Sequence, residues 1–345
     1  MQMEQNARGS GATPVLFSVA QIVAPIKAAA LIGLFSLAAC GGGSSATPAA
    51  VVSAPENTGN PIPAQADVLL GAWVLPANAS PSTSPANIAE LEAEIGRKFA
   101  LSLHYDPLAQ TFPSAMEQAD LVNHRIPVIS LNCNDTNYNI ARGSQDAALS
   151  QKAAAIRSFG EPVFLRYMWE FNLPYTSNGR AACSDPVRDT DGYFSPVEYI
   201  AAFQHIHDLM VAQGATNIAW IWNPSSGGVS GVPYWPGDAY VDWVGIDDYD
   251  RASAGTSIFT APYARYAPIG NGSHPIIIAE TGAVAADQPN YFNALAGALQ
   301  TQFPKIKALV YFDSVGPLGS YTLTAAGLAA FQEFAANPYV SASPP

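Results

Sequence analysis

Ile276-Ile277-Ile278-Ala279-Glu280-Thr281-Gly282 is a run of mostly β-branched residues that stops abruptly at a carboxylate. Four apolar residues in a row, with no polar alternation, suit a strand buried on both faces of a parallel sheet. A helical period follows over 290–302, and a second apolar run lies at 308–312, so the three segments read as one βαβ unit. Outward from this unit the pattern recurs. Strands are predicted at 68–74, 99–105, 127–131, 163–167, 218–222, 243–246, 276–279 and 308–312. Helices are predicted at 87–95, 115–123, 145–159, 196–213, 290–302 and 325–336, the fourth with Ser195 as cap, Pro196 at its start and Glu198 in its first turn. The connections 223–241 and 248–274 have weaker helical patterning and are expected to be irregular.

Eight apolar strands alternating with helices predict an α/β protein, a single (β/α)8 TIM barrel. A doubly wound open sheet is the alternative. Against it, Gly71-Ala72-Trp73 leads into Pro76 without the G-x-G-x-x-G loop that follows the first strand of such a sheet.

All six tryptophans lie between Trp73 and Trp243, whereas the first sixty residues are nearly free of aromatics and rich in Ala, Ser, Gly and Pro. One aromatic-rich domain therefore follows a leader. Lys27 precedes an apolar stretch over 28–39, too short to span a membrane but suited to a signal-peptide core. Leu37-Ala38-Ala39-Cys40-Gly41 resembles the lipobox of bacterial lipoproteins, in which the cysteine is lipidated and becomes the mature N-terminus. The expected organisation is a signal peptide at 1–39, a flexible linker at 40–66 and the barrel at 67–345. The resemblance implies export and anchoring to the bacterial cell envelope through lipid on Cys40 alone, on the periplasmic or surface face of the outer membrane.

The net charge of −12, with only 15 basic residues and few of them clustered, removes the attraction on which non-specific nucleic-acid binding depends. In an exported chain Cys133 and Cys183 suggest a disulfide, which would contribute roughly 3–4 kcal/mol by restricting the unfolded chain. Two buried thiols are the alternative. No Cys/His cluster has metal-ligand spacing: His205 and His207 lie two apart on a predicted helix and face different sides of it.

In a barrel of this type, active residues sit where strands pass into the following loops. The predicted strand ends carry His104, Asn132, Glu170, Asn223, Asp247 with Tyr249, Glu280 and Asp313. Two are glutamates, on the fourth and seventh strands. Paired carboxylates, one protonated and one ionised, are what glycosidic-bond hydrolysis requires. Strand alternation predicts Arg166, Met168 and Glu170 on one side, with a cation two pleats below the carboxylate. Such an arginine is costly inside a barrel unless acids pair with it.

Arg166-Tyr167-Met168-Trp169-Glu170-Phe171-Asn172 resembles the R-x-x-H-E-x-N segment of glycoside hydrolase family 26, the β-mannanase family. Residues 234–249, from Tyr234-Trp235-Pro236-Gly237-Asp238 to Gly245-Ile246-Asp247-Asp248-Tyr249, resemble its Y-P-G-D-x-Y-V-D-W-V-G-x-D-x-Y segment with one insertion. Residues 278–282 and 307–312 fit its seventh and eighth strands, so the resemblance spans about 70–340. It implies a retaining, endo-acting hydrolase of a β-linked polysaccharide, with Glu170 as acid/base and Glu280 as nucleophile. β-1,4-Mannan is the first expected substrate, followed by β-glucan, xylan or an exopolysaccharide. Tyr249 is expected to hydrogen-bond Glu280. Trp169, Trp222, Trp235 and His104 are candidates for sugar contacts or core packing, and Asn172 and Asp247 for support of the site. A monomer with no cofactor and no metal, acting on a polysaccharide, is the expected form. Two departures stand out: Trp169 replaces the histidine that usually precedes the acid/base, and Leu173-Pro174-Tyr175 replaces a usual glycine and tryptophan. A barrel that binds polysaccharide without cleaving it is the rival class, favoured by Trp169 and opposed by the presence of Glu170, Glu280 and Arg166.

Overall fold

The computed structural model of the chain describes residues 60–76, 84–316 and 318–341. The expected signal peptide, the lipidation site at Cys40 and most of the expected linker lie outside the described residues. Eight strands, β1 (Val68–Val74), β2 (Leu101–Asp106), β3 (Ile126–Leu131), β4 (Val163–Tyr167), β5 (Ile218–Trp222), β6 (Trp243–Asp250), β7 (Ile276–Ala283) and β8 (Ile306–Asp313), pair in chain order. All of these pairings are parallel. β8 returns to β1 in continuous register, from Leu69 opposite Ala308 to Val74 opposite Asp313, and closes the (β/α)8 barrel.

Helices α1 (Pro85–Ile95), α2 (Ala115–Asn123), α3 (Asn137–Ile140), α4 (Asp146–Phe159), α5 (Pro196–Ala212), α6 (Thr260–Tyr266), α7 (Gln288–Thr301) and α8 (Ala325–Ala335) lie between and after the strands. Their starts follow local chemistry. Ser195 caps α5, with Pro196 at the first helical position, and Ser114 and Glu117 form a reciprocal capping box on α2. The irregular connections contain short 3-10 turns, at Val232–Tyr234 and Asp238–Tyr240 in one and Gly255–Phe259 before α6 in the other.

Alternating strand residues divide into two apolar clusters. Leu69, Leu101, Leu103, Val128, Phe164, Ile221, Trp243, Ile277 and Val310 belong to the cluster inside the barrel. Their neighbours Leu70, Ile129, Leu165, Trp220, Val244, Ile278 and Leu309 join the helices in the larger outer cluster. The inner cluster also takes in Ile62, which is fully buried and whose carbonyl accepts from Trp243 Nε1 at 2.9 Å. The linker boundary expected at residue 66 is therefore several residues late: Ala- and Pro-rich composition concealed a single apolar anchor that fills the barrel near the start of β6.

Between the barrel and its first two helices lies a buried ionic cluster. Arg125 bridges Glu92 of α1 at 3.0 Å and Asp120 of α2 at 2.7 Å, and Asp120 also holds His104 of β2 at 2.5 Å. Removing one partner from such a set leaves uncompensated buried charge. Arg125→Met should lower the unfolding free energy by about 3–5 kcal/mol. Urea denaturation followed by tryptophan fluorescence checks this; a loss below about 1 kcal/mol would contradict it.

Candidate active site

The cavity at the C-terminal mouth of the barrel has a volume of about 620 Å³, and both Glu170 and Glu280 line it. With them stand Trp73, Tyr105, Trp169, Tyr249, Phe312 and Tyr321, so several aromatic rings line the walls. That combination, an apolar cleft with a few convergent polar groups, is typical of a site for an organic ligand.

Below the cavity the inner face changes from apolar to polar in one layer. Arg166, fully buried on β4, donates from Nε to Ser130 Oγ at 2.8 Å and from one terminal nitrogen to Asn223 Oδ1 at 3.1 Å. That nitrogen also contacts both oxygens of Asp247, at 3.2 and 3.0 Å, and the other terminal nitrogen donates to Glu280 Oε1. Gly245 makes room for this layer, because a Cβ there would lie 2.6 Å from the Asn223 side chain.

Glu280 reaches the cavity through a break in strand alternation. Ile277 and Ala279 face inward on β7, so an unbroken pleat would turn Glu280 outward. The register with β6 slips instead: Ile246 pairs with Ile278, and the next residue, Asp247, pairs with Glu280. The extra residue is a bulge that re-aims the carboxylate inward and turns Thr281 out to Tyr291 of α7 at 2.7 Å. Besides Arg166, Glu280 accepts from Tyr105 Oη on Oε1 and Tyr249 Oη on Oε2, each at 2.6 Å. Three donors thus converge on this carboxylate and use its oxygens as acceptors. Burial and the charge of Glu280 push both tyrosines well above their usual pKa, so each keeps the proton that it donates.

Glu170 arrives differently. β4 ends at Tyr167, and Met168 and Glu170 both take left-handed backbone, with φ of 46° and 56°. The expectation that Arg166, Met168 and Glu170 share one face is therefore corrected: Met168 is buried in the outer cluster, and a turn rather than a pleat delivers Glu170. Its Oε2 accepts from Asn178 Nδ2 at 2.6 Å. Burial first, and then the negative charge of Glu280, raise its pKa above the usual carboxylate value. Asn178, Arg180 and Ser225 only partly oppose the rise.

The structure separates the remaining candidates. Trp169 lines the cavity, 5.0 Å from the ring of Tyr105. Trp222 is fully buried in the outer cluster, donates to the Tyr234 carbonyl and packs edge-on against Trp235, so neither reaches the cavity. His104 likewise faces outward, paired with Asp120 of α2. Two of these corrections share a cause: Leu101, Leu103 and Tyr105 face inward on β2, and Ala219 and Ile221 on β5, so the adjacent His104 and Trp222 face the helices. Asn172 is a clamp, donating to the carbonyls of Ser225, Gly227 and Val229 and accepting from Ser225 N. Asp247 supports Arg166 from within the barrel.

Tyr105, Asn178 and Trp73 were not singled out in the sequence. Alternation along 101–105 would have found Tyr105; Asn178, in a loop without periodicity, gave no signal. Cys133 and Cys183 are disulfide-bonded, with Cα atoms 6.1 Å apart, and join the loops after β3 and β4.

A parallel barrel with two buried carboxylates at its mouth, one with a raised pKa and one met by a guanidinium and two phenols, defines a glycosidase-like protein. The sequence profile of glycosyl hydrolase family 26 matches residues 94–313, and the chain belongs to that family. It is 28% identical over 265 residues to Endoglucanase H of Acetivibrio thermocellus, covering 70% of this chain and 27% of that protein. It is 25% identical over 125 residues to the β-1,3-xylanase TXYA of a Vibrio species, covering 34% of this chain and 24% of the other. The catalytic domain of a Bacillus sp. JAMB-750 endo-β-1,4-mannanase shares the fold with a TM-score of 0.59 at 16% identity, over 80% of this chain and 87% of that one. The chain spans about a quarter of the length of the curated relatives it matches.

The disulfide closes a segment of 50 residues. Replacing both cysteines by serine should lower the unfolding free energy by about 4 kcal/mol, the chain-entropy value for a loop of this length. Chemical denaturation of the oxidised protein and the double variant measures the difference; equal midpoints would refute it.

Proposed function

We propose that this chain is a retaining, endo-acting hydrolase of a β-1,4-linked polysaccharide, with Glu170 as acid/base and Glu280 as nucleophile. The observation that carries the reading is the opposite treatment of two carboxylates in one cavity. Glu280 accepts from Arg166, Tyr105 and Tyr249, whereas Glu170 is buried with a raised pKa. In the first step Glu280 attacks the anomeric carbon. The glycosidic C–O bond breaks, and the leaving oxygen takes the proton of Glu170. In the second step Glu170, now a carboxylate, removes a proton from water as it attacks the glycosyl-enzyme ester and frees Glu280, which retains the configuration. The aromatic walls offer flat faces to the apolar faces of pyranose rings.

β-1,4-Mannan is the substrate that the motifs around Glu170 and Asp247 favour. A β-glucan is the second reading, favoured by the likeness to an endoglucanase over 70% of the chain. Galactomannan, mixed-linkage β-glucan, carboxymethylcellulose and β-1,3-xylan, each assayed for new reducing ends and falling viscosity, separate the substrates; no activity on any β-glycan would favour the non-catalytic rival.

Glu280→Ala should abolish turnover of every substrate. Glu170→Ala should slow polysaccharide cleavage by about 10²–10⁴-fold, the usual worth of general acid–base catalysis, while sparing the first step on dinitrophenyl glycosides. Because protonated Glu170 is the active form and its pKa is raised, activity should persist above the ordinary carboxylate range and fall as pH rises through that raised value. Proton NMR of the first-formed product reports retention; initial release of the opposite anomer would sink the mechanism.

We also propose that the chain is exported and held at the cell envelope by lipid on Cys40. The lipobox-like run 37–41 supports this reading. Cys40→Ser should move the protein from the membrane fraction to the soluble fraction, and unchanged fractionation would contradict it.

A further inference from the structure

Arg180 is fully buried, yet no carboxylate lies within ion-pair distance of it among the described residues. A buried guanidinium without an acid is an expensive arrangement. Its donors go to main-chain oxygens instead. One terminal nitrogen reaches the carbonyls of Met168, at 3.4 Å, and Trp169, and the other reaches that of Glu170 at 3.0 Å. Nε points to the Ser177 carbonyl at 3.4 Å. The guanidinium also lies 5.8 Å from the Trp169 ring and 5.9 Å from that of Phe194.

The three carbonyls belong to the turn that leaves β4. Two of its residues, Met168 and Glu170, hold left-handed backbone without being glycine, a conformation that L side chains rarely adopt. Such backbone persists only where its surroundings over-determine it. Here Met168 N is tied to Leu131 O of β3 at 3.0 Å and Glu170 N to Asn223 O at 2.7 Å, while the carbonyl side converges on one side chain. That side chain sits in a short braced segment: Asn178, two residues before it, donates to the Glu170 carboxyl, and Cys183, three after it, is bonded to Cys133.

We propose that Arg180 is the positioning residue for the acid/base, holding the 168–170 turn so that the Glu170 carboxyl faces the cavity beside Glu280. This deepens the proposed function and rests on Glu170 being the acid/base. Arg180 also acts through charge. The charged groups that face Glu170 are Glu280, Asp247 and Arg180, and of these only Arg180 favours its ionised form. When Glu170 releases its proton to the leaving oxygen, the resulting carboxylate has a cation prepared beside it.

Arg180→Met, Arg180→Lys, Asn178→Ala and Glu170→Gln test this together, each first checked by thermal denaturation. The probes are the wild type's best polysaccharide among galactomannan and mixed-linkage β-glucan, and the 2,4-dinitrophenyl β-mannobioside and β-cellobioside. Arg180→Met should lose about 10²-fold in kcat/KM on polysaccharide, a typical worth of acid catalysis, but less than about threefold on the dinitrophenyl glycosides, which need no proton. Azide, which attacks without a general base, should restore its kcat. The alkaline limb of its pH profile should move upward, because the one favourable cation is gone. Arg180→Lys retains charge but cannot span three carbonyls, so it should show the same substrate split without the pH shift.

Equal losses on both substrate types with no azide rescue would mean that Arg180 serves folding alone, and the inference would fail. If Arg180→Met does not fold, the split in Arg180→Lys and Asn178→Ala decides. A split in Glu170→Gln but in none of the others overturns only this inference. No split in Glu170→Gln overturns the acid/base reading, and this one with it. A crystal structure of the folded Arg180→Met protein with residues 168–170 unmoved would also overturn it.

Discussion

A single guanidinium, that of Arg166, sets the terms for the upper half of this barrel. It lies where side chains normally fill the interior with hydrocarbon, and burial there would expel a lone charge. Ser130, Asn223, Asp247 and Glu280 meet it from β3, β5, β6 and β7. Each neighbouring strand must therefore present a polar residue at one height, and Gly245 must present nothing at all. The layer beneath remains apolar, with Phe164 packed edge-on against Trp243 at 5.3 Å. One cation facing two carboxylates also leaves negative charge in excess. Burial and the charge of Glu280 push Asp247 well above the usual carboxylate range.

The two glutamates reach the cavity by local departures from regular structure. A bulge on β7 inserts one residue and reverses the pleat, and a left-handed turn after β4 takes over where the pleat stops. Regular strands would have sent Glu280 toward the helices, so the departures are what make a site out of a closed, packed barrel. Both are fixed by neighbours. Tyr291 holds the outward Thr281 on β7, while Leu131, Asn223 and Arg180 hold the turn.

Those departures also mark where sequence reading stopped. Apolar runs such as 68–74 and 218–222 coincide with the strands found, because a parallel strand buried on both faces leaves an uninterrupted apolar signature. The strands β6 and β7 run four residues beyond their predicted ends, since their polar upper halves, Asp247 to Asp250 and Glu280 to Ala283, carry no apolar pattern. The acids and Arg166 were legible as strand-end polar residues. Which aromatics face the cavity was not, because His104, Trp222 and Trp235 look as suitable in a one-dimensional string as Tyr105 and Trp73. The inward parity of β2 and β5 sets His104 and Trp222 apart, and Trp235, in the irregular connection before β6, packs on Trp222 instead.

The two glutamates differ in how donors are distributed around them more than in how deeply each is buried. Both residues are nearly inaccessible, at 9% and 5% exposure for Glu170 and Glu280. Glu280 shares a direct ion pair and two phenolic donors. Glu170 has neutral donors only, from Asn178 and Ser225, while the nearest cation, Arg180, spends its hydrogen bonds on carbonyls. A charge in a dry cavity is stabilised most by the groups that touch it, and Glu170, the acid lacking a bonded cation, has its pKa raised. Bringing Arg180 into direct contact with Glu170 would erase that difference. The guanidinium bonds the Glu170 carbonyl instead, and its charge only partly offsets the rise that burial and Glu280 impose on the carboxyl.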